Sequence, residues 1–593
     1  MNLLNLDDLE VDVIDQCTTD LFEKSNSINT AKAILEEINS GNYDYRYSSK
    51  NVLYEDDLWT FYSELYQHHI HFDFDELDSY FRFSNPEVFE NIKDAIKCWT
   101  CDLINDYSPQ AARKFFRSLT LAIQATSGLT KEYASDFVNN LNDRLITVAD
   151  KTELLGEYIL RDIMLAMENF CDYFRFESLE RYIEGFQTVR APEIEKNTRK
   201  IPGSKDCYTF DYYLHRWCED VKQTEDSKEL VHFYPIYLWW KVTSILPIRP
   251  TEFINIKQMD CFKKDGKCYI KVKRIKQKKN AKKIQVPDTL RIPGELYEDI
   301  LHYMEISEPY GESDTLISYR AIKDTRPSSL RGGKKLDPNK TNSNVLKNLL
   351  KAFYTKILAE KYNLVVKEDA EQHTGVIPQQ WDIERRLRLN DSRHIAITSM
   401  MLQGYDKVQI ARLSGHTSLK TQYGYYNHVE FWVDSEVKRL SEEFAFSSIR
   451  GINSHEYNPQ LSEMIEQFSV KSWTANEADY IYKLNLGHCA DKEMSCPSGF
   501  NPDFSGCYHC PFWRIKQDEL EANSELIKKE LNTAMNTLKS TTSFLVQLHK
   551  QSDLDAAGEV NPALKTDLIT ASKQLKKEII DVSKIQQLYN LLR

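Results

Sequence analysis

"LNDSRHIAITSMMLQGYDKVQIARLSGHTSLKTQYGYYNH", residues 389–428, decides how the chain reads. It begins as a helix that Gly404 stops. A short helix follows from Asp406 to a second stop at Gly415, and Thr417 or Ser418 caps a third. Three helices in forty residues thus carry an arginine, several histidines and a tyrosine cluster. Taken alone, residues 415–428 would read as packing, because phenol rings bury area and their hydroxyls find partners. The rest of the chain changes that reading.

Upstream, "LPIRPTEFINIKQMD" (246–260) places Arg249 at a turn entering a helix, with Glu252 three residues on. Next, alternating "CYIKVKRI" (268–275), a lysine run and "IQVP" (284–287) read as a β-hairpin. From Lys263 to Lys283 there are eleven Lys or Arg and one acid. That exceeds what protection of a sheet edge requires, and a two-stranded ribbon fits a nucleic-acid groove. Arg274, Lys278, Lys279 and Lys282 are the polyanion contacts expected there. A second basic surface is expected on the helix beginning at Ser108, an N-cap with Pro109 behind it, where Arg113, Lys114 and Arg117 fall within little more than a turn. By itself that face reads as merely solvated.

Together these stretches resemble the tyrosine recombinases, or phage-type integrases. Arg249 with Glu252 resembles the first arginine motif, Lys276 the hairpin lysine, Arg393 the second arginine, and Gly415-His416 the next element. Nine positions after His416 falls Tyr425, where the family carries its nucleophile. The chain departs in two places: Asn390 stands where the family has the histidine of His-x-x-Arg, and Pro-Ile-Arg replaces Gly-x-Arg. Asparagine can donate a hydrogen bond but moves no proton near neutral pH.

The resemblance implies a site-specific enzyme that cuts and rejoins DNA through a 3′-phosphotyrosyl intermediate, integrating or excising a mobile element. Arg249 and Arg393 would hold the non-bridging oxygens, His416 would add a donor, and Lys276 would protonate the leaving oxygen. Tyr423 and Tyr426 point elsewhere on a helix, and His428 reads as structural. No cofactor is implied for catalysis, and no Gly-x-x-x-x-Gly-Lys-Ser/Thr loop is present. The implied polyanion at the basic residues is double-stranded DNA, and the further partners implied are copies of the chain and other element-encoded proteins. A type IB topoisomerase-like activity and an inactive DNA-binding or assembly protein of the same fold remain as alternatives.

The expected fold is mainly α with a small β-hairpin or sheet. A helical N-terminal region of unread role (1–95) precedes a helical core-binding, DNA-clamping domain (96–188) and a linker (189–205). A mixed α+β catalytic domain (206–450) and a helical C-terminal tail (455–593) follow. In the tail, Leu520, Ile527, Leu531, Leu538 and Leu545 recur at sevens and fours, which suggests contacts between protomers. Cys489, Cys496, Cys507 and Cys510, the last two as Cys-x-x-Cys, either ligate a structural Zn²⁺ or pack as small hydrophobes. The formal charge of -13 argues against non-specific coating of nucleic acid. An acidic N-terminus and the lack of a long uncharged apolar run point to a cytoplasmic, nucleoid-associated protein.

Overall fold

The computed structural model describes residues 22–41, 47–49, 51–63, 68–75, 77, 86–148, 151–175, 177–186, 188–189, 201–224, 227–274, 288–326, 339–367, 381–416, 419–449, 481–493, 507, 512–551, 560–590 and 592. It is mostly helical, with small antiparallel sheets. The chain divides into two compact units, residues 1–197 and 198–593.

In the first unit, strands β1 (Leu58–Ser63) and β2 (His68–Asp73) pair with Phe61 opposite Ile70. Alternation turns Trp59, Phe61, Ile70 and Phe72 inward. Such a hairpin is marginal alone and needs cover. The helices include α1 (Lys24–Asn39), α2 (Pro86–Asp106), α3 (Pro109–Ala125) and α4 (Glu157–Tyr173). Phe116 of α3 meets Phe72 and Phe74 edge-on, each at 5.3 Å. One apolar core therefore runs from Ala31 to Val189. The boundary expected at 95/96 falls inside α2 and is not a break. Ser108 caps α3, its hydroxyl accepting the Ala111 N–H. On that helix Arg113 and Arg117 are exposed, while Lys114 is drawn into an ion pair with Asp162 of α4 at 2.7 Å.

The second unit is built around α6 (Ser227–Ile245), preceded by α5 (Ser204–Thr224). Helix α6 is apolar on every side and is correspondingly buried, with Phe233, Ile236, Trp239 and Val242 in the core. Its Lys241 reaches Asp299 of α8 (Gly294–Ser307) at 2.6 Å. No helix among the described residues is long and apolar enough to cross a membrane. Between α6 and α8 lie the short helix α7 (Pro250–Ile254) and a three-stranded sheet. Strands β3 (Cys261–Lys264) and β5 (Thr289–Ile292) flank β4 (Lys267–Lys271). Asp265 and Gly266 both take positive φ, the geometry of a two-residue type I′ hairpin turn.

The observed partner of β4 on the far side is 289–292, because Cys268, Ile270, Leu290 and Ile292 bury together on one face. Residues 275–287, which include the 284–287 stretch, Lys276, Lys278, Lys279 and Lys282, lie outside the described residues.

Helices α9 (Asp391–Leu402), α10 (Lys407–Ser414) and α11 (Tyr423–Ile449) follow the stops read from sequence. Gly404 and Gly415 take positive φ, and the Asp406 carboxylate accepts the N–H groups of Val408 and Gln409, each at 2.9 Å. Thr243 ties α6 to α9 by donating to the Ser392 hydroxyl at 2.8 Å.

Helices α12 (Ser524–Lys550) and α13 (Pro562–Asn590) pack on each other and on α11. Leu520, Ile527, Leu531, Leu538 and Leu545 are all buried within this chain, in one cluster with Val433 and Val437. The leucine stripe is buried within the chain because α11 presents an apolar face that needs covering.

Candidate active site

Arg249 ends the segment leaving α6, and Pro250 sets the first turn of α7. One turn on, Glu252 folds back: its carboxylate accepts the Arg249 backbone N–H at 2.9 Å and the Arg249 Nη1 at 3.1 Å. Glu252 is 0% exposed. It also accepts Arg274 Nη1 at 3.3 Å, and Arg393 Nη1 lies 4.0 Å away. Burial alone would raise its pKa, but the three guanidiniums outweigh that effect and hold the carboxyl below its ordinary value. Three cations from three separate stretches thus surround one carboxylate. The Arg249 side chain, 12% exposed, is the member that reaches the surface.

Arg274 was expected to contact DNA. The structure turns it inward instead, where Nη2 donates to the Leu413 carbonyl at 2.9 Å, in the last turn of α10. The signal was present in the sequence: Cys268, Ile270 and Val272 are buried, so strand alternation carries position 274 to the same face. Gly415 is required twice over here. Its φ is +74°, and a Cβ would stand 3.0 Å from Arg274 Nη1.

Arg393 lies in the first turn of α9 and is 2% exposed. Its Nη1 donates to the Pro247 carbonyl at 2.7 Å, and its Nη2 is 2.7 Å from His416 Nε2. A guanidinium offers only donors, so Nε2 accepts and the His416 proton sits on Nδ1. Any hydrogen bond His416 gives a substrate must therefore come from Nδ1 in this arrangement. The His416 ring lies 5.6 Å from the ring of Tyr425, which is 2% exposed. Asn390 is half-buried at the N-cap of α9 and makes no capping bond with its side chain.

The neighbouring tyrosines are placed differently. Tyr426 donates its hydroxyl to the His549 carbonyl of α12 at 3.0 Å, and burial pushes its phenol pKa upward. Tyr423 is exposed. Of the three, Tyr425 is the one whose ring meets His416.

Sequence reasoning overlooked His394. Its ring packs, tilted, against Tyr425 at 4.7 Å, and its Nδ1 lies 3.1 Å from His428 Nε2. The available signal was helical spacing, since His394, Ile397 and Met401 share the face of α9 that packs toward Tyr425 and Val429.

Of the four cysteines, Cys489 and Cys507 are described and belong to one apolar cluster, while Cys496 and Cys510 lie outside the described residues. Among the described residues no group of three or more His, Cys, Asp or Glu could hold a metal. The Asp491 N–H donates to Cys489 Sγ at 3.4 Å, a contact that suits a thiolate ligand.

No family model matches the chain, and no curated protein matches it. Among solved structures it is similar to the XerH site-specific recombinase bound to palindromic difH substrate in a post-cleavage complex. That likeness has a TM-score of 0.36 and 12% identity, over 72% of this chain and 98% of the other. XerH in its pre-cleavage difH complex gives a TM-score of 0.33 and 12% identity, over 69% and 96%. The XerA recombinase gives 0.23 and 12%, over 56% and 93%. Likenesses at TM-scores this low carry no argument about chemistry, which has to rest on the side chains.

Proposed function

We propose that the chain is a site-specific recombinase that cuts and rejoins double-stranded DNA, with Tyr425 as nucleophile. One observation supports this above all. An unbroken path of contacts runs from Tyr425 through His416 and Arg393 to Glu252 and Arg249, joining residues 393–425 to the distant stretch 249–252. Such a path sets a phenol beside an imidazole that is itself bonded to a guanidinium, an arrangement that suits attack on a phosphodiester.

In this reading the Tyr425 phenol gives its proton to water, its oxygen attacks phosphorus and the bond to the 5′ oxygen breaks, leaving a 3′-phosphotyrosyl ester. Arg249 and Arg393 bind the non-bridging oxygens, and His416 donates from Nδ1. Lys276, on the segment after β4, gives the departing 5′ oxygen its proton. Attack by a 5′ hydroxyl reverses the step and restores the DNA. The bond energy is kept in the ester, so rejoining needs no ATP. Glu252 stays anionic and spaces the three arginines.

The finer assignments belong to the same proposal. The reaction serves integration or excision of a mobile element, in multimers on DNA and in the cytoplasm at the nucleoid. Arg113 and Arg117, with Lys278, Lys279 and Lys282, contact the phosphate backbone, and reversing the three lysines to Glu flattens the salt dependence of binding. The four cysteines hold one structural Zn²⁺, which elemental analysis of folded protein tests.

The deciding experiment incubates the chain with nicked duplexes drawn from the DNA flanking its own coding region. A covalent adduct mapped by mass spectrometry to Tyr425, and absent in Tyr425→Phe, supports the proposal. A nucleotide on Tyr426 refutes the choice of tyrosine. No adduct on any tyrosine favours the inactive DNA-binding protein, the reading that Asn390 suggests. Relaxation of plasmid lacking matched sites favours topoisomerase-like activity.

A further inference from the structure

We infer that His394 and His428 are a positioning pair that fixes the Tyr425 ring relative to Arg393. The inference rests on the function proposed above and adds two residues that the reaction scheme does not use.

The geometry is that of a strut between two helices. Arg393 and His394 are consecutive on α9, so their side chains leave the helix about 100° apart. Arg393 points toward Glu252 and His416, while His394 points toward α11. Tyr425 and His428 are three residues apart on α11 and share a face. The 3.1 Å contact between His394 Nδ1 and His428 Nε2 therefore joins the helix of the phosphate-binding arginine to the helix of the nucleophile.

Tyr425 is held inside that frame. Its ring lies 4.7 Å from His394 and 5.6 Å from His416, with an interplanar angle of 37° to each. Each imidazole is held by a hydrogen bond of its own: His416 accepts from Arg393, and His394 is bonded to His428. The phenol thus packs against two rings that cannot turn without breaking a hydrogen bond.

A purely structural role would not call for histidines here. Tyr425 belongs to an apolar cluster with Ile397, Met401 and Val429, and apolar side chains beside it would fill space without burying polar nitrogens. The contact also needs one ring nitrogen to donate and the other to accept, so at least one imidazole is neutral. The pair specifies orientation, which an apolar contact would leave free to slide.

The test uses the full-length chain and compares His428→Gln with His428→Asn. The Gln amide reaches the position of Nε2 and can keep the bond to His394, whereas the Asn amide stops short of it. Both are polar, so their melting temperatures should fall together. The readouts are the single-turnover rate of covalent adduct formation on a nicked duplex at saturating DNA, and the affinity for that duplex. His428→Asn should slow adduct formation about tenfold to a hundredfold at unchanged affinity, the scale expected for a small misplacement of a reacting group. His428→Gln should stay within about threefold of wild type. Equal rates for the two variants, or a loss confined to affinity, would overturn the pair's positioning role. If the wild-type chain forms no adduct at all, the function proposed above fails first, and this inference falls with it.

Discussion

Glu252→Gln isolates the carboxylate around which the arginines gather. The substitution keeps the size of a side chain that is fully buried, and it removes the charge. It also places an NH₂ donor among donors: the Arg249 N–H at 2.9 Å, Arg249 Nη1 at 3.1 Å and Arg274 Nη1 at 3.3 Å. Only the remaining carbonyl oxygen can still accept. Removing one partner from a buried ion pair costs about 3–5 kcal/mol. The lower end applies here, because the Arg249 guanidinium is partly exposed and water takes up some of the loss.

Urea unfolding followed by tryptophan fluorescence reads the change, since Trp239 and Trp240 lie in the same core. With a slope of about 3 kcal/mol per M, a loss of about 3 kcal/mol moves the midpoint down by about 1 M. The folded-state pKa of Glu252 is depressed, so its contribution is present above the ordinary carboxyl pKa and fades as pH falls through the depressed value. The difference between wild type and variant should therefore be full at neutral pH and shrink in acid. Added sulfate should recover part of the loss in the variant and less in wild type, since an anion bound at the partly exposed Arg249 guanidinium can offset the lost charge. A midpoint within about 0.2 M of wild type, with no sulfate effect, would refute the view that Glu252 organises the arginines.

Gly415→Ala should lose about 1–2 kcal/mol from its left-handed backbone alone, and adduct formation should suffer as Arg274 is pushed aside, measured by urea unfolding and single-turnover assay. Tyr426→Phe removes the hydroxyl bonded to the His549 carbonyl and should cost about 1 kcal/mol, yet it should still form the adduct. His549 is buried with Nε2 donating to the Met401 carbonyl at 3.1 Å. Burial, only partly offset by that bond, pushes its pKa down to about 4. The unfolded chain therefore takes up a proton first, and stability is lost as pH falls from about 6.5 toward 4. His549→Gln should flatten the stability-against-pH slope in that window by about one proton. An unchanged slope would place the acid sensitivity elsewhere.

Local chemistry was legible in the sequence wherever neighbours along the chain decide it. The glycine stops at 404 and 415, the Asp406 cap and the Ser108–Pro109 helix start all depend on a few consecutive residues, and they stand as read. The spacing from Arg393 through His416 to Tyr425 is likewise one-dimensional, fixed by three short helices and two turns.

What needed the tertiary structure was the fate of side chains whose partners lie far away. A charge count put Arg274 on a DNA-facing ribbon, but its direction depends on Glu252 and on the Leu413 carbonyl, 139 residues further on. The heptad leucines of the tail look the same whether they meet another protomer or α11. Only the apolar face of α11, with Val433 and Val437, decides between them. The spacing of His394 with Ile397 and Met401 marks only the face it shares, because a histidine on an apolar helix face gains its meaning from what the opposite helix presents. Sequence by itself determined the elements, their ends and the order of the reactive groups, because those follow from backbone conformation and short-range hydrogen bonds. The tertiary structure decided which groups face one another, because burial and pairing are settled between segments that the chain brings together only on folding.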